Sequence, residues 1–274
     1  MQAATNDVRT LFNHQARGWR RKYAPGGKLN ARVEQFAGRL AALCLPPGNV
    51  LDLGCGTGEI AAALGQRGYH VTACDVAENM LAIARHSHPG AAVEWVGLAP
   101  DWDTLPFADA SFDAIVASSV FEYLNDVPRT AAELSRVLRP EGVLLLTVPN
   151  PCNFVRKLEA RLRALVVNHR VPPLLRLFPR LDRYATYLRL SRNRFDAPGW
   201  QSVLSAANFS ACDERDFSLE AWRRQAKAPL VLLSVRRVAA AGSGQFDAET
   251  ATQGESEAET TKCRTAQRSL ISTQ

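Results

Sequence analysis

The chain has 274 residues, 46% hydrophobic and 22% charged, with a formal net charge of +6, which suits a globular protein with a core large enough to fold alone. No uninterrupted apolar run reaches the ~18 residues of a membrane span, and Met1 to Arg21 are polar rather than a charged-then-apolar leader, so the chain reads as cytoplasmic. The six cysteines, Cys44, Cys55, Cys74, Cys152, Cys212 and Cys263, form no C-x-x-C pair, which argues against a zinc site or a disulfide framework and for reduced thiols.

From Asp7 to Leu43 apolar residues recur at helical spacing, with Val8, Leu11 and Phe12, then Val33, Phe36, Leu40 and Leu43. Pro25-Gly26-Gly27 divides this stretch into two helices, and beside it lies an aromatic and basic cluster, Trp19 to Tyr23. Pro46-Pro47-Gly48 then launches an apolar strand that runs into three glycines at alternate positions, Gly54, Gly56 and Gly58. Such a bare backbone makes a tight turn against which a flat ligand can lie.

A helix from Ile60, closed by Gly68, precedes a β-rich run from Tyr69 to Asp75. A helix from Ala77 to His86, a strand from Val93 to Val96 and a loop from Gly97 to Phe107 follow. Phe112 to Ser118 reads as a strand, Pro128 to Leu138 as a helix and Gly142 to Val148 as an apolar strand. Strands alternating with helices predict a parallel sheet covered on both faces. Residues 151–194 interrupt the alternation with two amphipathic pieces, one on Phe154, Leu158, Leu162 and Leu165, the other on Leu174, Leu177, Phe178 and Leu181, broken at Pro172-Pro173. The alternation resumes with a helix from Pro198 to Ala207, a strand near Ala211 to Phe217 and a last strand from Leu230 to Val235. The composition from Ala239 to Gln274 predicts a disordered tail.

Charge is spread unevenly along this order. Residues 1–40 carry 8 basic and 2 acidic side chains, residues 41–150 carry 5 and 13, and residues 151–194 carry 11 and 2. An acidic centre is thus flanked by two basic segments.

The glycine turn admits two ligand readings. A dinucleotide fingerprint wants Gly or Ala five places after Gly54, where this chain has Glu59, and Asp52 lies two places before it. Two carboxylates there would repel a pyrophosphate and suit an ammonium or sulfonium. Asp75, some 21 residues past Gly54 at the end of the adjacent strand, is placed to accept both hydroxyls of a ribose.

With these residues in view, the chain resembles the class I S-adenosylmethionine-dependent methyltransferases, in particular the small-molecule, methyltransferase type 11-like branch, over most of residues 48–150. Asp52-x-Gly54-x-Gly56-x-Gly58 is similar to their first motif. The resemblance implies S-adenosylmethionine as cofactor, with Asp75 on the ribose and Val76 and Met80 beside the adenosine. It implies Asp101 on the adenine amino group with Trp102 beside the ring, and places Cys55 in the turn and Ser118 at the pocket. Ser111 to Val116 resembles the fourth strand, and Arg136 to Gly142 the lead into the fifth, with Glu141 where glycine is more usual. The implied fold is a Rossmann-like seven-stranded sheet, mostly parallel with an antiparallel last strand. Its expected organisation is an N-terminal helical cap (1–45), a methyltransferase domain (46–238) carrying the basic helical insertion (151–194), and the tail (239–274).

In similar enzymes the segment after the fifth strand, together with the N-terminal helices, covers the acceptor. The two basic segments are therefore expected to form one lid, with Trp19 and Tyr23 over the pocket and Arg156 and Arg161 among the arginines meeting an anionic, carrier-bound or membrane-associated acceptor. If the methylated atom is a hydroxyl oxygen its proton must leave, and Glu122, Tyr123, His14 and Tyr23 are the candidate bases. No metal is required. The expected activity is methyl transfer to a small-molecule or lipid-linked acceptor, at oxygen in preference to nitrogen or carbon. A nucleic-acid acceptor ranks lower, because the fourth strand ends in Ala117-Ser118-Ser119-Val120 rather than an Asn/Asp-Pro-Pro-aromatic tetrad. A non-catalytic cofactor-binding regulator is the remaining alternative.

Overall fold

The computed structural model describes residues 2–168 and 178–238. The expectations for Pro172 to Leu177 and for the tail from Ala239 to Gln274 lie outside these residues. Seven strands form one sheet: β1 (Asn49–Leu53), β2 (His70–Asp75), β3 (Val93–Gly97), β4 (Phe112–Ala117), β5 (Leu138–Pro149), β6 (Phe209–Ala211) and β7 (Leu230–Arg237), in the order β3-β2-β1-β4-β5-β7-β6. The first five pair in parallel, and β7 runs antiparallel to both β5 and β6. The chain works outward from β1 to β3 and then returns to β4 on the other side of β1. That reversal opens a crevice at the carboxyl ends of β1 and β4, the usual place for a ligand in an open α/β sheet.

Both faces of the central strands are buried, which is why β1 and β4 read as mostly apolar runs, interrupted by Asp52 and Asp113. Leu51, Leu53, Ile115 and Ala117 face one cluster with Phe121, Leu134, Trp200 and Trp222. Val50, Ala114 and Val116 face the other with Phe36, Leu40 and Leu64. Burying a side chain of this size contributes about 1.5–3 kcal/mol.

Several helix starts follow local chemistry. The helix α3 (Glu59–Gln66) begins on Gly58, whose φ of 87° is left-handed, and α4 (Glu78–Ser87) follows the turn after β2. Asp126 caps α5 (Val127–Val137) by accepting from the Arg129 amide at 2.9 Å, with proline in the first turn. Such a cap contributes about 0.5–2 kcal/mol.

The N-terminal segment forms α1 (Gln2–Trp19) and α2 (Asn30–Ala41). Ala16 of α1 packs on Ala77 and Met80 at the start of α4. Around that contact Asn13 donates to Glu78 at 3.1 Å, Arg9 Nε does so at 3.0 Å, and the Asn79 amide donates to Asn13 at 2.9 Å. An exposed ion pair such as Arg9 with Glu78 is worth about 0–1 kcal/mol, so the buried apolar contact does more of the holding. The basic insertion forms α6 (Phe154–Asn168) and α7 (Pro179–Leu190). No helix among the described residues is long and apolar enough to cross a membrane.

The region after α8 (Ala197–Ala206) corrects the sequence reading. The expected strand from Ala211 to Phe217 is only the three residues of β6, followed by a 3-10 turn at Glu214–Phe217 and an unanticipated helix, α9 (Leu219–Arg224). Asp213 accepts from the Arg215 amide and Ser218 from the Ala221 amide, which turns the chain twice. The distant Asn150, fully buried, then donates to the carbonyls of Gln225 at 3.0 Å and Ala228 at 3.2 Å. Glu141 has a φ of 64°, a left-handed conformation. That strain, about 1–2 kcal/mol for a non-glycine residue, is a physical reason for a glycine preference at such a turn.

Candidate active site

A cavity of about 960 Å³ opens at the crevice. Its floor is the backbone of Leu53, Gly54, Cys55 and Gly56. Gly54 and Gly56 have φ values of 69° and 56°, and the amides of Gly54 and Cys55 both donate to the Cys74 carbonyl, which pins the turn to β2. A Cβ on Gly56 would come within 3.5 Å of the Trp19 indole nitrogen. The missing side chain therefore keeps open the gap between floor and roof. Gly58 serves a different purpose, since a Cβ there would meet the Trp95 ring at 2.5 Å and the residue is not on the cavity wall. Its expected cofactor contact gives way to a packing role.

Asp75 ends β2 on the wall. One carboxylate oxygen accepts from the Gly56 amide at 2.9 Å, the other from the Ala77 amide at 2.8 Å. Burial raises its pKa, opposed by these amides. Each oxygen keeps a second acceptor site. Val76 and Met80 flank this end, and Asp101, Trp102 and Asp103 approach from the loop after β3. Arg129 pairs with Asp103 at 3.2 Å. The two loop acids, alike in sequence, thereby differ in what they touch.

Asp52 is not on the wall; it is 1% exposed beneath the glycine turn. The expectation that its carboxylate meets the ligand is corrected, because the strand residue nearest the cavity is Leu53 and Asp52 packs below it. Burial first, then the charge of Asp75, pushes its pKa up to about 8. One of its oxygens is buried without a hydrogen-bond partner among the described residues. A bare glycine floor, a strand-end acid with acceptor sites to spare and a buried acid whose ionisation a nearby cation would favour all fit S-adenosylmethionine.

The segment after β4 forms another wall. Ser118, Ser119, Glu122 and Tyr123 line it, but Glu122 is not a free base. It is 2% exposed, accepts from Ser191 Oγ at 2.8 Å and lies 3.5 Å from Arg156. Arg156 also meets Glu159 at 2.9 Å, and Arg194 reaches Glu159 at 3.3 Å. Two arginines thus face two glutamates, and Tyr187 completes the group by donating to Glu159 at 3.2 Å. Removing one member of such a buried group exposes the rest to an uncompensated charge. The expectation of Arg156 as an acceptor-binding cation is corrected accordingly: it lines the cavity, but its charge is matched within the protein.

Tyr123 stands edge-on to Phe12, with ring centres 5.2 Å apart. Burial, then the Glu122 charge, raises its phenol pKa well above the usual value. Burial likewise raises that of Tyr23, against the opposing effect of Arg32. Neither is readily ionised. His14 and Arg161 are exposed and off the cavity wall, since each faces outward on its helix, and the expectations for both are corrected. Trp19 and Tyr23 line the cavity. Sequence reasoning missed Arg32, Lys28, Tyr184 and Tyr187 on the same wall. The aromatic and basic cluster before Pro25 was the nearest signal, and it stopped short of α2.

A doubly wound α/β sheet with a ligand cavity at its switch point defines the class of protein. The family profile described as "Methyltransferase domain" matches residues 51–146. A demethylmenaquinone methyltransferase of Thermus thermophilus is 35% identical over 175 residues, covering 62% of this chain and 77% of that protein. A malonyl-[acyl-carrier protein] O-methyltransferase of Serratia marcescens is 40% identical over 102 residues, 37% of this chain and 38% of that one. The leading curated relatives are matched over a fifth to about half of their own length. In fold, the chain is similar to a magnesium protoporphyrin IX methyltransferase from Synechocystis solved with bound SAH, with a TM-score of 0.59 and 18% identity over 84% of this chain and 98% of that one. The chain belongs to the class I S-adenosylmethionine-dependent methyltransferases, and S-adenosylmethionine is its cofactor.

Proposed function

We propose that this protein transfers the methyl group of S-adenosylmethionine to an oxygen of a small-molecule or lipid-linked acceptor. The observation that carries the reading is a single cavity with two chemically different ends, one of bare backbone and carboxylates, the other of aromatic rings and cations. Its volume of about 960 Å³ is near the top of the ~300–1,000 Å³ range of small-molecule pockets, which favours two ligands side by side.

In this reading Asp75 accepts the ribose hydroxyls, Asp101 accepts from the adenine amino group, Val76, Met80 and Trp102 enclose the ring, and Gly54 to Gly56 and Ser118 line the remainder. When bound, the sulfonium supplies an electrophilic methyl carbon. The protein's own part is to align the acceptor and exclude water. Positioning of this kind reaches effective molarities of about 10⁵–10⁸ M in favourable cases. Tyr23 and Tyr123 retain their protons, and Glu122 is tied to Ser191 and Arg156, which supports orientation over proton removal as the role of this wall.

The test is untargeted mass spectrometry of metabolites and lipids from cells with and without the gene, followed by turnover of the candidate with purified protein. A product heavier by one methylene unit, lost without the gene, is expected. Cofactor binding without turnover of any acceptor would favour the regulator instead.

One surface supports a second, compatible reading, peripheral contact with an anionic membrane. On α6, Phe154 is 76% exposed and Leu158 and Leu165 are 45% and 58% exposed, with Lys157 and Arg161 between them. Apolar anchors among basic side chains suit an anionic bilayer surface. Co-sedimentation with phosphatidylserine vesicles should fall for Phe154→Glu; unchanged sedimentation would count against the contact.

A further inference from the structure

The cations around the cavity differ in what they touch. Arg156 and Arg194 face Glu122 and Glu159, and Arg129 faces Asp103. Arg32, at the start of α2, does not follow this pattern. Its Nη1 donates to the hydroxyls of Ser118 at 3.2 Å and Ser119 at 2.9 Å. Among the described residues no carboxylate lies within ion-pairing distance of it. Lys22 and Lys28 line the same stretch of wall.

The surroundings make this grouping costly. The Lys22 ammonium sits 3.3 Å from the centre of the Trp19 ring. Burial, then Lys28 and Arg32, lowers its pKa to about 8. Arg32 is likewise pushed down, chiefly by burial. Lys22 and Arg32, half withdrawn from water beside the exposed Lys28, are repelled by it and by each other and call for a counter-charge. The neighbouring wall, Val8, Phe12, Leu29 and Tyr184, is apolar or aromatic.

We infer that Arg32, flanked by Lys22 and Lys28, is the subsite for the carboxylate of an apolar carboxylic-acid acceptor. The two serines hold one corner of the guanidinium, which orients its remaining N–H groups for a planar anion, a geometry arginine meets better than lysine. The lysines add field, and the aromatic wall takes the apolar body. The word acceptor rests on the methyl-transfer reading above; the carboxylate preference rests on these side chains.

The probes are octanoate and octanol, equal in chain length and different in charge, titrated calorimetrically into the full chain with and without saturating S-adenosylhomocysteine. Octanoate should bind at least about tenfold more tightly than octanol, the scale of one charge-assisted hydrogen bond. Arg32→Gln should abolish that preference while leaving octanol binding in place. Arg161→Gln, outside the cavity, should keep it. Lys28→Gln, at an exposed position, should reduce it about two- to fivefold, and supplies the answer if Arg32→Gln does not fold. Equal binding of the two probes by the wild type, or a preference that survives Arg32→Gln or, where that variant does not fold, is unaltered in Lys28→Gln, would overturn the subsite. Failure of S-adenosylhomocysteine to bind would count against the methyl-transfer reading alone, because the probe preference is also read without it.

Discussion

The two ends of the cavity are built by different means. The end proposed for the cofactor uses strand termini: the glycine turn after β1, Asp75 at the end of β2 and the loop after β3, all within residues 53–103. The end proposed for the acceptor is assembled from α1, α2, the segment after β4, and α6 and α7, which are far apart in the chain. At the first end the lining is backbone amides and two acids, Asp75 and Asp101, and nearness in sequence brings them together. At the second, side chains must be sorted into those that hold the roof in place and those that face a ligand. Charge alone does not sort them, because Arg156 and Arg32 line the same cavity with different partners.

The largest effect that would test this division is on stability. Glu122→Ala leaves Arg156 with one partner fewer in a buried site and should cost about 3–5 kcal/mol, read as a lower midpoint in thermal unfolding. A melt like that of the wild type would make Glu122 a candidate base again. Next comes cofactor affinity. Asp75→Ala should weaken S-adenosylhomocysteine binding by about a hundredfold, two hydrogen bonds to a charged group being lost. Asp101→Ala, with one such bond at an exposed position, should weaken it by about tenfold or less. A larger loss at Asp101 than at Asp75 would reverse the assignment of the two acids.

A last effect is pH-dependent and belongs to Asp52. Its pKa rises from an ordinary 3.8 to about 8 on folding, so between these values the folded chain holds a proton that the unfolded chain has released. Stability from this group is full below about pH 4 and declines as pH rises towards 8. Asp52→Asn should therefore flatten part of the fall in melting temperature of the ligand-free protein between pH 5 and 8. An unaltered slope would mean that Asp52 is ionised in the folded chain.

Legibility in sequence follows the same division. The sheet was readable because its central strands are buried on both faces and strong punctuation such as Gly48 and Gly68 marks where β1 and β2 begin. Asp75 was readable because the distance from turn to strand end is set by one helix and one strand. The helix α9 was not, since the buried Asn150, some seventy residues away, supplies the donors that organise its far end. Arg32 was hidden for a similar reason. On α2 it looks like a solvated residue at the edge of the apolar stripe of Val33, Phe36 and Leu40, and only Ser118 and Ser119, from the end of β4, show what it meets.

The indole of Trp19 lies across the cavity from the bare backbone of Gly56, and Trp102 stands on the wall beyond Asp75. Of the other three indoles, Trp95 packs on Gly58, and Trp200 and Trp222 are sealed in the core. The protein therefore carries its own optical gauge: light emitted from the two cavity indoles senses what enters between floor and roof, against a background from the sealed pair that is insulated from it.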